Sequence, residues 1–137
     1  MTNVQTARPN IWITALTAGA IAAVANLVIY FIAGAANVSL QIAETPGTTE
    51  LQHLAFVPVV LASLIPAFAA TAVLLLLRRF TPRADTVFQV IAVVFLLISF
   101  SGPLGMPTDG ATKLVLGLMH TVAGVIITLG LTRPRPA

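Results

Sequence analysis

Four long apolar runs dominate the sequence and constrain its fold more than any other feature. They lie at about residues 11–33, 51–77, 86–104 and 111–131. A helix needs about 20 residues to cross the hydrocarbon core of a bilayer, and each run has roughly that length. Backbone polar groups cannot stay unpaired in lipid, so each run should be helical. The sequence therefore predicts an all-α bundle of four transmembrane helices, with residues 1–137 forming a single integral membrane domain.

The composition agrees with this prediction and removes several classes of function. Hydrophobic residues make up 58% of the chain and charged residues 8%, whereas soluble domains carry charge at about a quarter of their positions. The net charge of +3 comes from a few residues between apolar runs, so nucleic acid is not an expected partner. Cysteine is absent, which excludes disulfides, thiol catalysis and thiolate metal sites. No catalytic or phosphate-binding motif occurs, and we expect no enzyme activity, cofactor or metal.

Several short signals predict where the helices begin. The segment Thr49–Gln52 reads as a capping box that opens the second helix. Thr81 is the predicted N-cap of the third helix, with Pro82 in the first helical position. Thr108 or Asp109 is the predicted N-cap of the fourth helix.

The basic residues predict the orientation in the membrane. Six of them fall on one side of the predicted bundle: Arg8, Arg78, Arg79, Arg83, Arg133 and Arg135. The two opposite loops, at residues 34–50 and 105–110, contain no Lys or Arg. Because cytoplasmic loops are enriched in these residues, both termini should be cytoplasmic. The predicted location is the inner (plasma) membrane, crossed several times.

Small and polar residues share one face of the first and fourth apolar helices. On the first helix this face contains Gly19, Asn26 and Tyr30, and on the fourth it contains five residues at helical spacing: Lys113, Gly117, His120, Gly124 and Thr128. Small residues let helix backbones approach closely in membranes. The pattern predicts that the first helix packs on the fourth, with Gly19, Gly117 and Gly124 at helix contacts.

That packing would place four polar side chains in one column. Asn26 and His120 are predicted at similar depth, His120 near the bilayer midplane, with Tyr30 and Lys113 closer to the outer surface. Ionisable groups inside a membrane are candidates for functional sites. An Asn and a His bonded between helices can equally serve as packing contacts, so the column is either a ligand, proton or ion site or part of the packing.

Two segments together suggest a known family. They are ANLVIY at residues 25–30, late in the first helix, and KLVLGLMH at residues 113–120 in the last helix, with a basic loop after the second helix. The chain resembles a family of small bacterial four-helix integral membrane proteins of unknown function. The resemblance covers nearly the whole chain and implies a four-helix fold in a bacterial inner membrane. It implies no particular activity.

Two functions from different classes remain after these exclusions. The first is a non-enzymatic binding or accessory subunit of a membrane assembly. The second is a small oligomeric transporter or channel that uses the polar column of Asn26 and His120. The expected partners are the lipid bilayer and either further copies of the chain or a larger membrane complex. An enzyme or carrier acting on a lipid or quinone is the least favoured reading.

Overall fold

The computed structural model describes residues 10–43, 45 and 47–133. Within them the chain forms seven elements: α1 (Ile11–Ala35), β1 (Gln41–Ile42), β2 (Gln52–His53), α2 (Phe56–Phe80), α3 (Ala84–Ser99), α4 (Ser101–Gly105) and α5 (Gly110–Thr132). Four helical segments are long and apolar enough to cross a membrane, the third being Ala84–Gly105, made of α3 and α4. This matches the four spans predicted from the sequence, as in a multi-pass membrane protein.

The second helix begins later than the sequence predicted. Residues 51–55 form β2 and its flanks rather than the first turns of α2, which starts at Phe56 with Ala55 as N-cap. The predicted capping box at Thr49–Gln52 is therefore wrong. The physical reason is a contact between loop residues: the Leu54 amide donates to the Leu40 carbonyl at 2.8 Å, and both side chains are buried.

The other helix-end predictions had mixed outcomes. Thr81 is the C-cap of α2, and Arg83 is the N-cap of α3, so the predicted N-cap at Thr81 is wrong. Asp109 does cap α5, because its carboxylate accepts a hydrogen bond from the Thr112 amide at 2.9 Å. That bond satisfies one of the free amides in the first turn.

The helix α1 is the most enclosed element. It packs against α2 and α5. The helix α3 also packs against these two helices. The buried residues of α1 are small apart from one asparagine: Ala15, Ala18, Gly19, Ala22, Ala23, Asn26 and Ala33. Small side chains bring the helix axes close together, which increases van der Waals contact where lipid offers no hydrophobic driving force.

The short antiparallel hairpin of β1 and β2 lies over one end of the bundle. Gln41 pairs with His53, and Ile42 pairs with Gln52. Leu40 precedes the hairpin in a left-handed conformation with φ of 48°, which is unfavourable for a leucine. Its side chain is 1% exposed and belongs to a core cluster with Leu54 and Met119. Burial of this side chain offsets the backbone strain and fixes the hairpin against the helices.

Candidate functional site

Asn26 is the most buried of the four polar residues in the predicted column, at 5% exposure. Its side-chain amide donates to the Ser63 hydroxyl on α2 at 3.1 Å, and Ser63 in turn donates to the Val59 carbonyl at 2.9 Å. The Asn26 Oδ1 atom is buried and has no hydrogen-bond partner among the described residues. Asn26 therefore joins α1 to α2 and keeps one free acceptor inside the bundle.

His120 is half-buried on α5 and bonds within its own helix. Its Nδ1 atom lies 2.7 Å from the Leu116 carbonyl oxygen. A carbonyl only accepts, so Nδ1 must carry the proton and donate. Among the described residues, no hydrogen bond connects His120 to Asn26. The two side chains therefore form separate hydrogen bonds, and their place in one column stays a prediction.

Tyr30 and Lys113 are not joined to each other or to that pair by a side-chain hydrogen bond among the described residues. The Tyr30 hydroxyl donates to the Leu54 carbonyl at 2.9 Å, and its ring makes an edge contact with His53, with centroids 6.4 Å apart. Tyr30 thus connects α1 to the hairpin. The half-buried side chain of Lys113 forms no ion pair or hydrogen bond within the described part of the chain. Whether any of the four residues binds a ligand stays a prediction.

The buried face of α5 is displaced by one residue from the predicted one. The predicted seam, formed by Lys113, Gly117, His120, Gly124 and Thr128, is only half-buried. The fully buried residues are Thr112, Leu116, Met119, Ala123, Ile127 and Leu131. Most of these side chains are large, and small residues of α1 leave room for them. The opposite face, with Leu114 and Leu118, is exposed as expected for a lipid-facing surface.

The three glycines singled out from the sequence approach different helices. A Cβ atom at Gly19 would lie 3.1 Å from the Ala67 Cβ on α2. At Gly117 it would lie 3.3 Å from the Phe100 ring, and at Gly124 it would lie 3.2 Å from a Leu96 methyl. Gly117 and Gly124 therefore face the third span rather than α1.

The closest glycine contact between α1 and α5 was missed by the sequence analysis. A Cβ atom at Gly130 would lie only 2.9 Å from the Ala18 Cβ. Gly130 is two residues beyond the last member of the predicted seam and does not belong to it. The available signal was the spacing of Gly130 from Ile127 and Ala123, which places it beside the large-residue face of α5.

A polar network at the hairpin end was also missed as a unit. The Ser39 hydroxyl donates to the Asp109 carboxylate and lies 3.1 Å from the Thr112 hydroxyl. The Thr112 hydroxyl also donates to Asp109 at 2.7 Å, and Thr108 donates to the Gln41 carbonyl at 2.6 Å. Hydrogen bonds from Ser39 first, and then from Thr112, hold the pKa of Asp109 well below its usual range. The network fixes the hairpin to the start of α5.

The opposite end of the bundle is basic. Arg78 pairs with Asp85 at 2.8 Å, across the turn from α2 to α3. Arg79, Arg83 and Arg133 have no acidic partner within 4 Å in the described part of the chain. The predicted basic residues Arg8 and Arg135 lie outside the described residues. Among the described residues, no group of three His, Cys, Asp or Glu could hold a metal ion.

Comparison with known proteins gives one result that covers almost the whole chain. Residues 6–137 match the model of a family described as "Family of unknown function (DUF6069)". The chain belongs to this family. The resemblance inferred from the segments at residues 25–30 and 113–120 is thereby confirmed at the level of the family. No curated protein and no solved structure matches the chain. Membership in the family assigns no activity.

Proposed function

We propose that this member of the family is a non-enzymatic binding or accessory subunit of a membrane assembly. We further propose that the exposed side of its third span contacts the partner. The observation that carries the proposal is uneven packing. Each span has a most apolar stretch of 18 residues. The buried share of that stretch is 33% for α1, 28% for α2, 17% for α5 and 11% for the third span. Membrane helices gain stability from close packing with neighbours, and the third span has the fewest such contacts.

The close packing of α1 against its neighbours favours a binding or accessory role over transport. Close approaches at Gly19 and Gly130 bring α1 against α2 and α5, and Ala15 and Ala22 are fully buried between them. The hydroxyls of Ser63 and Thr71 bond to carbonyls in their own helix. These contacts pair both hydroxyls and pack the helices tightly, as expected of a structural core.

The partner that fits the third span is a transmembrane helix of another protein. The outward face of α3 contains Val90, Val94 and Leu97, each more than half exposed. These apolar side chains recur at helical spacing and can pack into the grooves of a second helix. Partners of this kind need no large loop, and the loops described here are short.

We extend the proposal to location. Arg78, Arg79, Arg83 and Arg133 lie at one end of the bundle, and the only acidic residue beside them in the described part of the chain is Asp85. The positive-inside rule favours a cytoplasmic position for this end. Both termini would then be cytoplasmic, in the inner membrane of a bacterium.

A small oligomeric transporter or channel is the second candidate, and one observation favours it. Asn26 Oδ1 is a buried acceptor with no partner among the described residues, and such groups often bind a water or a ligand. Transport would need a continuous polar path past this atom. His120, the other expected member of that path, bonds to Leu116 instead.

Site-specific photo-cross-linking in native membranes tests the proposal. A photoreactive amino acid at Val94 should give one discrete product with another membrane protein. The same group at Leu114, which is exposed on α5, is the matched control and should give only diffuse lipid adducts. Products of equal yield at both positions would contradict an α3-specific partner. A product between two copies of the chain would assign this face to self-association instead.

A further inference from the structure

We infer that the groove between α3 and α5, together with the basic turn beside it, is a binding site for one anionic phospholipid. The phosphate would lie at Arg83 and one acyl chain would lie in the groove. This inference does not depend on the proposed function, because the groove is on the flank of α3 that faces α5 and the proposed partner face is on the outward side.

The groove has the position of a lipid chain in one leaflet. It has a volume of about 340 Å³ and is lined mainly by apolar side chains, with Leu96 and Gly124 among the floor residues and Val93 on the rim. It extends from Gln89 to Leu96, which is roughly 7 to 18 Å along the helix from Ala84 at 1.5 Å per residue. That range runs from near the membrane surface to about the middle of a 30 Å hydrocarbon core.

The lining of the groove suits a hydrocarbon chain. It is mainly apolar, with Gln89 and Thr128 as its polar members. An acyl chain is narrower than a helix and flexible, so it can follow a shallow groove of this kind.

A polar pocket lies at the turn from α2 to α3. It has a volume of about 550 Å³, and Arg78, Arg83, Asp85 and Thr86 are among its lining residues. Thr86 is three residues before Gln89 and seven before Val93, so all three share one stripe of the helix. The pocket and the groove are thus consecutive along α3, with the pocket at the membrane surface. A phospholipid has the same order, with a charged headgroup at the membrane surface and apolar acyl chains below it.

The charges in the pocket favour an anion. Asp85 is already paired with Arg78 at 2.8 Å, whereas Arg83 has no acidic partner within 4 Å in the described part of the chain. Arg133 lies at the end of α5, next to Thr132, and Thr132 accepts a hydrogen bond from Gln89 at 2.9 Å. Arg83 therefore offers the pocket a guanidinium group without an acidic partner among the described residues, and Arg133 follows the end of the neighbouring helix α5. Guanidinium groups bind phosphate oxygens in pairs of hydrogen bonds.

Native mass spectrometry of the purified full chain in a neutral detergent tests this site. Phosphatidylglycerol should remain bound at concentrations where phosphatidylcholine does not. Arg83→Gln should weaken phosphatidylglycerol binding by about tenfold, the effect of losing one charge-assisted hydrogen bond, and Arg83→Lys should recover part of it. Arg79→Gln is the matched control, because Arg79 is adjacent but outside the pocket, and it should have a much smaller effect.

A second pair of variants tests the chain-binding groove. Val93→Phe narrows the groove and should weaken phosphatidylglycerol binding several-fold, while Val90→Phe on the outward face should leave it unchanged. Inorganic phosphate should not displace the lipid, since it cannot occupy the groove. Equal effects of Arg83→Gln and Arg79→Gln would show diffuse attraction and overturn the site. No effect of Val93→Phe, equal binding of phosphatidylcholine, or displacement by phosphate would also overturn it.

Discussion

The Asn26 amide and the Ser63 hydroxyl are joined by a buried hydrogen bond of 3.1 Å across the contact between α1 and α2. Ser63 keeps its own bond to the Val59 carbonyl at the same time. The two helices are thus held in register by a polar pair placed among alanines. The pair gives the Asn26 amide nitrogen a partner within an otherwise apolar stretch.

A double-mutant cycle measures what this pair contributes. Asn26→Ala and Ser63→Ala should show a coupling energy of about 0.6 kcal/mol, and at most about 1.7 kcal/mol, which are the values for hydrogen bonds between membrane helices. The free energy of unfolding in mixed micelles is the readout. Thr121→Ala is the control partner, because the Thr121 hydroxyl donates to the Gly117 carbonyl in its own helix. A coupling of Asn26 to Thr121 as large as that to Ser63 would refute a specific α1–α2 bond.

Gly130 is predicted to be the glycine most sensitive to substitution at the contact between α1 and α5. Gly130→Ala places a Cβ 2.9 Å from the Ala18 Cβ, so the helices must move apart at a cost of about 1–3 kcal/mol. Gly34→Ala is the control, since its Cβ would meet no atom of another described segment within 4 Å. Thermal unfolding in detergent should show a lower midpoint for Gly130→Ala only. Equal midpoints for the two variants would mean that the helices are not in close contact there.

The four spans could be predicted because apolar length is a local property of the sequence. The start of α2 could not be predicted, because residues 51–55 directly precede an apolar run and their actual state depends on the pairing of Leu54 with Leu40. Leu40 and Leu54 are 14 positions apart, and no local sequence pattern indicates their contact. The cap at Asp109 was predictable, since it acts within one turn of its own helix.

The candidate site was predicted less well than the spans. The sequence analysis placed the small and polar face of α5 against α1, but α1 already supplies the small residues and α5 meets it with large ones such as Leu116 and Ile127. Which face of a helix packs depends on the shape of its neighbour, and composition alone does not give that shape. The partner of Asn26 was missed for a related reason, because Ser63 looks like any other small residue of α2.

The network around Asp109 predicts a specific dependence on pH. Its lowered pKa means that folding stabilises the ionised carboxylate, so the contribution is complete above the unfolded pKa of about 3.9 and is lost as the pH falls through the lower folded value. Asp109→Asn should therefore differ from the native chain by a constant amount between about pH 5 and 8, and the difference should shrink below about pH 4.

Thermal unfolding followed by circular dichroism from acid to neutral pH checks this dependence on Asp109. Glu50→Gln is the control, because the Glu50 carboxylate makes no hydrogen bond among the described residues. That variant should follow the native chain throughout the range. The difference in unfolding midpoint between the native chain and Asp109→Asn should not grow toward acid pH. Such growth would contradict the role given to the carboxylate.

The proposed orientation predicts a pattern of chemical labelling. The chain contains no cysteine, so single cysteines at Thr45 and Thr132 report on opposite ends of the bundle. A thiol reagent that cannot cross the membrane should label position 45 on intact cells, and it should label position 132 only after the cells are opened. Labelling of position 132 alone on intact cells would contradict the proposed orientation and would indicate the opposite one.

The central claim is that the third span carries a partner helix, and the size of the native assembly tests it most directly. The measurement is native-gel migration of the chain from membranes extracted in mild detergent, comparing Val94→Trp on α3 with Leu118→Trp on the exposed face of α5. The native chain and Leu118→Trp should migrate in one assembly larger than the 14.3 kDa chain alone, whereas Val94→Trp should release the free chain. Release by neither variant, or by both equally, would contradict the claim.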